Sequence, residues 1–434
     1  MTSVLLPTTP TAPLNAPTIR TTDRGLTIIA EQIPVEAVSL NIWLRVGAAI
    51  ESEAIDGMAH FLEHMLFKGT PNLAIGEFER RIEARGATTN AATSQDYTHY
   101  YLTCAPQDFT QLAPLQFDVV LNPTLDRDDF DRERQVVLEE IRRSADDPRR
   151  RNFQRLSELA FESLPYRRPV LGRATTIERL PVEAMREFHR TWYRPDAMTA
   201  VVVGNLPVEE LIAIATDSFD RAIAHHPDHP DHSPLATVHP FPSEASFDRI
   251  ERREAIDPSL QQARLSLIWR VPGLNAIEQT YALDVLASIL GQGRTGRLVR
   301  RLREERGLVS GIGAGNLSYR FQGLFQVYAQ LPSEQIEEVE AEIVAAITEV
   351  RNTLIALNDI DRVRTQVANR FIFGNERPSD RANLYGYFQT LTGGLDAAIG
   401  YSEALRSISA QDLRAAARQY LRDDAYGVVI ARPE

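Results

Sequence analysis

The sequence predicts an α+β protein built from two similar halves, and three observations predict it. The chain has 434 residues, too long for one ordinary core and enough for two domains. Short runs rich in β-branched and apolar residues alternate with longer runs of helical periodicity. The second half also echoes the first, in order. Residues 265–273 (LSLIWRVPG) repeat 40–48 (LNIWLRVGA), an offset of 270 − 45 = 225 on the shared Arg-Val step. Residues 361–370 (DRVRTQVANR) repeat 131–140 (DRERQVVLEE) at an offset of 230, and 420–430 repeat 193–203 at 227. A nearly constant offset implies a duplicated unit.

Taken in order, residues 1–17 are rich in Thr and Pro and read as a loose tail. They hold no basic residue and no long apolar run, so they do not read as a secretory signal, and a cytoplasmic protein is expected. No stretch of the sequence resembles a membrane span. Residues 25–31 and 38–46 read as strands, 47–57 as an acidic loop, and 75–84 as a helix closed by Gly86. Residues 87–103 run from small and polar to aromatic with strand-like alternation, and His99 among those aromatics reads as a packed or surface residue. Helices are expected over 109–121, 130–143, 152–164, 181–193 and 206–223, and a buried strand over 198–203. Residues 225–240 then carry five of the nine histidines and four prolines. Prolines break the regular geometry a metal site needs, so this stretch reads as a solvated linker. The expected domains are therefore 18–224 and 241–434.

Hydrophobic and charged fractions of 43% and 24% are those of a globular protein. A net charge of −12 argues against nucleic acid as a partner and has the sign that favours basic peptides. The single cysteine, Cys104, excludes an internal disulfide framework. Gly291, Gly293 and Gly296 spell G-x-G-x-x-G, but the residues before them read as a helix, so the strand a dinucleotide site requires is missing.

The chemistry-bearing stretch is AHFLEHMLFKGT, residues 59–70. His60, Glu63 and His64 stand at i, i+3 and i+4, one face of a helix. The residues around them are apolar, and a buried helix does not carry two imidazoles and a carboxylate without partners. Two neutral imidazoles are good zinc ligands, and a carboxylate beside them can take a proton from metal-bound water. A catalytic zinc needs a third protein ligand. Residues 130–142 (FDRERQVVLEEIR) offer carboxylates: Glu133 and Glu140 are two helical turns apart on one face, and Glu139 points about 100° away from Glu140.

With H-x-x-E-H in the reverse order of H-E-x-x-H, and a glutamate 140 − 64 = 76 positions after His64, the chain resembles peptidase family M16 from about residue 26 to 430. It looks most like the subfamily of the processing-peptidase β-subunit. The resemblance implies one Zn2+ per chain on His60, His64 and Glu140, with Glu63 as catalytic base and Glu133 orienting the site from behind. It also implies the LuxS/processing-peptidase-like metallohydrolase fold. That fold pairs two α/β-layered domains, each a mixed or largely antiparallel sheet covered by helices, as a clamshell around a peptide-sized cavity. The strand holding Asn90, Ala91, Ala92 and Thr93 matches the family's cleft-edge strand, to which an extended substrate adds. At an offset of 225 the second half places Val285, Ser288 and Ile289 on His60, Glu63 and His64, so it carries no metal ligands. The family's second domain commonly grips the substrate carbonyl with an Arg and, seven residues on, a Tyr. Here Arg303 is present and Ser310 stands at the Tyr position. Some members divide zinc and the Arg/Tyr pair between two different chains. The resemblance thus implies a zinc endopeptidase acting on extended or unfolded peptides. A heterodimer with a paralogue is expected, a homodimer being the alternative. A non-catalytic relative and a maturation peptidase with one substrate are the competing readings.

Overall fold

Six strands of the first half form a mixed sheet in the order β1-β2-β6-β3-β5-β4. They are β1 (Thr18–Thr21), β2 (Thr27–Gln32), β3 (Val38–Leu44), β4 (Thr88–Thr93), β5 (Thr98–Cys104) and β6 (Met198–Gly204). Only β2 and β6 pair in parallel. The computed structural model describes residues 16–224 and 241–434. The tail expected over 1–17 lies outside the described residues save for its last two positions, and the linker expected over 225–240 lies wholly outside them.

Side chains alternate between the two faces of a strand, and here both faces are covered. Ile28 and Ala30 of β2, Leu40 and Ile42 of β3, and Ala200 and Val202 of β6 enter the main core of the first half. That core is closed by helices α1 (Met58–Leu66), α2 (Glu77–Glu83), α3 (Phe109–Leu121), α4 (Arg127–Asp146), α5 (Pro148–Ala160), α6 (Ala174–Ile177), α7 (Val182–Trp192) and α8 (Val208–Ala224), of which α5 faces elsewhere. The intervening residues Ile29, Trp43, Val201 and Val203 form a second cluster on the opposite face.

The second half repeats this plan without a counterpart of β1. Its sheet runs β7-β11-β8-β10-β9, from β7 (Glu251–Ile256), β8 (Ala263–Pro272), β9 (Gly311–Ser318), β10 (Gln322–Leu331) and β11 (Gly427–Arg432), again with one parallel pair, β7 and β11. One face is covered by α9 (Tyr281–Gly291), α10 (Ile336–Asn352), α11 (Leu357–Phe373), α13 (Asp396–Ser407) and α14 (Ala410–Tyr420). The glycine run 291–296 follows helix α9, not a strand.

The remaining helix, α12 (Pro378–Thr392), and α5 are exchanged between the halves. Ala382 and Tyr385 of α12 pack on Trp43, Val201 and Val203 of the first sheet. Leu156, Leu159 and Ala160 of α5 pack with Ile268, Leu324 and Val429 of the second. Pro378 and Pro148 open the two helices 378 − 148 = 230 positions apart, the offset at which 361–370 repeats 131–140. The halves therefore meet as a clamshell, each with one face of its sheet covered by a helix of the other. Approach is close: a Cβ on Gly386 of α12 would lie 2.1 Å from Trp43 Nε1. Several polar groups inside the joint are matched, although Trp43 Nε1 and the Thr390 hydroxyl are buried there without a hydrogen-bond partner. Arg381 donates to Glu31 Oε1 at 2.9 Å, the Tyr385 hydroxyl donates to Glu31 Oε2 at 2.7 Å, and Asn41 donates to Asn383 at 2.7 Å. On the other joint Arg151 clasps Asp257 at 2.7 Å. No helix among the described residues is long and apolar enough to cross a membrane.

Removing one member of a buried ion pair leaves the other charge desolvated and costs ~3–5 kcal/mol. Arg381 and Glu31 are each 7% exposed. Arg381→Met is therefore expected to lower the unfolding free energy by about that amount in urea denaturation. The same change at Arg20, whose Glu209 pair is exposed, should leave the midpoint nearly where it was.

Candidate active site

Helix α1 is apolar on nearly every side, and Phe61, Leu62, Met65 and Leu66 are fully buried. Such a helix cannot satisfy its first N–H groups with water. Glu51 does so instead, accepting from Gly57 N–H and Ala59 N–H at 2.7 Å each. Burial pushes its carboxyl up to about 8 in spite of those two bonds. Gly57 enters the helix with φ +92°, where a Cβ would lie 2.7 Å from the Leu171 carbonyl.

The one polar face of α1 is turned toward α4. His60 Nε2 and His64 Nε2 lie 3.6 Å and 3.4 Å from Glu140 Oε2. One donor atom from each of the three residues falls within 4.8 Å of the others, and no other such group of three occurs among the described residues. Two imidazole nitrogens and a carboxylate oxygen in that space are a donor set that suits zinc and leaves a fourth position open. Glu139 points elsewhere: it is half-buried and pairs with Arg142 and Arg143.

Behind this face, Glu133 is buried and shared. Its Oε1 lies 2.9 Å from His64 Nδ1 and its Oε2 2.7 Å from Lys68 Nζ. That contact leaves the Nε2 lone pair of His64 facing Glu140. Burial alone would raise the Glu133 carboxyl, but the bonds from His64 and Lys68 outweigh it and hold it below the usual carboxylate range. Burial likewise opposes charge on His64, and the Glu133 carboxylate overcomes that, raising its pKa. His60 has no such partner. Its Nδ1 is buried without an acceptor, and burial, then the charges of His64 and Arg150, lower its pKa to about 3. It is a neutral imidazole, the form that ligates a metal.

Glu63 lies beside these donors. Burial holds its carboxyl above the usual range, while a 2.5 Å bond from the Thr93 hydroxyl works the other way. Thr93 ends β4, the edge strand of the first sheet, so Asn90 to Thr93 run along the site's border. Ala92 and Thr93 line a cavity of about 860 Å³ together with His60, Glu63 and Glu140. Asn90 is exposed and folds its side chain onto the next N–H. Arg303 is not among the cavity-lining residues. It sits in the wide helical turn Val299–Glu305 with its guanidinium on Glu304 at 2.6 Å. The Ser310 hydroxyl is taken by Gln262 and the Gln330 carbonyl. His99 packs on Trp43 with ring centres 4.3 Å apart, and burial lowers its pKa to about 4. Cys104 is a buried thiol that burial pushes up to about 12.

Two contacts were not anticipated from the sequence, that of Lys68 with Glu133 and that of Thr93, expected only at the cleft edge, with Glu63. Lys68 stands four residues after His64, just past the end of α1, a spacing that was available in the sequence. The hydroxyl contact from Thr93 to Glu63 joins residues 30 apart, and no local pattern announces it.

Two layered halves of one plan, with an imidazole pair and a carboxylate facing each other on two helices, define a metallohydrolase-like architecture. Residues 27–174 match the family described as insulinase (peptidase family M16), and 179–367 match the peptidase M16 inactive domain. The chain belongs to peptidase family M16. It is similar to an uncharacterized zinc protease of Mycobacterium leprae, 31% identical over 328 residues, which cover 74% of this chain and 72% of that one. An uncharacterized zinc protease of Mycobacterium tuberculosis is 28% identical over 429 residues, covering 98% and 95% of the two chains. The fold matches the crystal structure of a protease from Helicobacter pylori with a TM-score of 0.89, at 24% identity over 96% of this chain and 99% of that one.

The Thr93 hydroxyl stabilises the charged form of Glu63, so removing it should raise the pKa of Glu63 further. Thr93→Val is expected to shift the acid limb of the pH profile for peptide cleavage to higher pH, with the alkaline limb unmoved. An acid limb shifted to lower pH would contradict this contact.

Proposed function

We propose that the chain is a zinc-dependent endopeptidase, with His60, His64 and Glu140 holding one zinc and Glu63 as the catalytic base. The observation that carries this reading is the convergence of those three donors within 4.8 Å beside the Glu63 carboxyl. The name zinc protease borne by its relatives supports it. A bound zinc supplies Lewis acidity toward water and toward a peptide carbonyl. The chain's own groups do the rest. Glu133 and Lys68 fix the ring of His64. A Glu63 carboxyl held above the usual carboxylate range is suited to accept a proton from water and pass it to the leaving amine. The free edge of β4 has backbone N–H and C=O groups to which an extended peptide adds as a further strand.

Glu63→Gln is expected to keep zinc at one per chain and to lose about 100- to 10,000-fold in turnover. Glu140→Gln should cost far more zinc affinity than Glu139→Gln. Near-normal turnover in Glu63→Gln, measured on an unstructured peptide, would contradict the base assignment. The reverse order of zinc affinities would contradict the ligand assignment.

We further propose that this chain works as the zinc-bearing member of a heterodimer. Support comes from Ser310, whose short side chain is occupied by Gln262 and Gln330, and from Arg303, which is held by Glu304 outside the cavity. A missing oxyanion donor typically costs ~100- to 1000-fold in rate. Adding a paralogue that lacks H-x-x-E-H but carries Arg and Tyr should raise the rate greatly and give a mixed dimer on sizing. Full activity of the isolated chain, unchanged by the paralogue, would contradict this.

A further inference from the structure

The cavity that holds His60, Glu63 and Glu140 is walled on one side by the first turns of α5. Arg149, Arg150 and Arg151 follow Pro148 there, at the positive end of the helix macrodipole, where cations are disfavoured. Arg151 has a structural task, since it clasps Asp257 and Ser259 across the joint. Arg149 and Arg150 have none. Both are exposed, both line the cavity, and neither has an ion-pair partner among the described residues. Arg155, a turn further on, also lines the cavity. Its Nη1 is buried and pairs with the Asp257 carboxylate at 3.8 Å, so Arg155, like Arg151, is committed to the joint. Two acids stand beside these arginines: Asp147 caps α5 by accepting from Arg149 N–H at 2.7 Å, and Glu158 is engaged by Gln154 and by Arg253. In a chain of net charge −12 this wall is locally cationic. Local charges, not the net charge, decide what binds, because salt screens exposed charges more than ~8 Å away.

We propose that Arg149 and Arg150 form a carboxylate-binding wall that selects an Asp or Glu side chain of the peptide beside the bond to be cut. This rests on the endopeptidase reading above and reverses the preference that the net charge implies. A guanidinium fork matches a carboxylate in geometry and charge. A hydrogen bond between charged groups in a half-open site corresponds to about a 10-fold discrimination against a neutral or basic residue.

The test uses acetylated, amidated peptides on one neutral scaffold, each with a single Glu or Lys within three residues of the scissile bond. With the zinc-loaded full chain, kcat/KM for Glu over Lys should reach about 10 at one position or more. Arg149→Gln with Arg150→Gln should bring that ratio toward one, and Arg149→Glu with Arg150→Glu should invert it. Binding of the same fluorescently labelled peptides to zinc-loaded Glu63→Gln, read by anisotropy, should show the same order without any turnover. Ratios near one at every position in both assays, or ratios unchanged in the charge-reversed protein, would overturn the proposal. A preference that appears only when the peptides carry a free C-terminal carboxylate would also overturn it, since the wall would then read a chain end. No cleavage of any peptide would instead count against the endopeptidase reading, and the binding order would still decide the wall.

Discussion

A helix buried on almost all sides carries two histidines and a glutamate on one face, and the rest of the site exists to accommodate them. A buried polar group without a partner costs free energy comparable to a lost hydrogen bond or more. Each group on α1 is therefore answered from another element. His64 is answered by Glu133 of α4, Glu63 by Thr93 of β4, and the bare N–H groups at the start of the helix by Glu51. His60 alone keeps an unanswered Nδ1, and it faces Glu140 with its other nitrogen. These partners come from a loop, a strand and a helix far apart in sequence, so the site is only as rigid as the packing that holds those elements together.

That packing is shared between the halves. Helix α4 brings Glu133 and Glu140 to α1, and Asp147 then caps α5, which leaves the first half and covers the second sheet. The helix that supplies the third donor is thus continuous with one fastened to the other half by Arg151 and Asp257. In return α12 covers the first sheet and brings Arg381 to Glu31. Glu140 and the joint are thus connected by one continuous stretch of chain, α4, Asp147 and α5. The first turns of α5, which line the cavity, lie at this same junction.

Much of this was legible in the sequence. The strands over 38–46 and 198–203 and the helices over 109–121 and 181–193 stand close to where their periodicity places them. They are interior elements whose own pattern matches their burial. The repeat offset of 230 announces α12 as the counterpart of α5. It does not announce that the two helices cross over, because a helix with apolar residues on one face fits either sheet equally well. Residues 18–21 carry no apolar alternation, and β1 forms there only because β2 offers a free edge. Helical spacing, a local rule, puts His60 and His64 on one face, while Glu140 was singled out through the family resemblance, and the structure brings the three together. The contacts of Thr93 and Glu51 were not legible, since they depend on where loops cross.

The proposed activity depends on His60, His64 and Glu140 holding a single metal ion. Anomalous scattering from zinc-soaked crystals at the zinc absorption edge tests it most directly. One peak is predicted, bounded by the Nε2 atoms of the two histidines and the Glu140 carboxylate, with Glu133 too far away to ligate. A peak at the histidines of 225–240 with none beside α1 would contradict it.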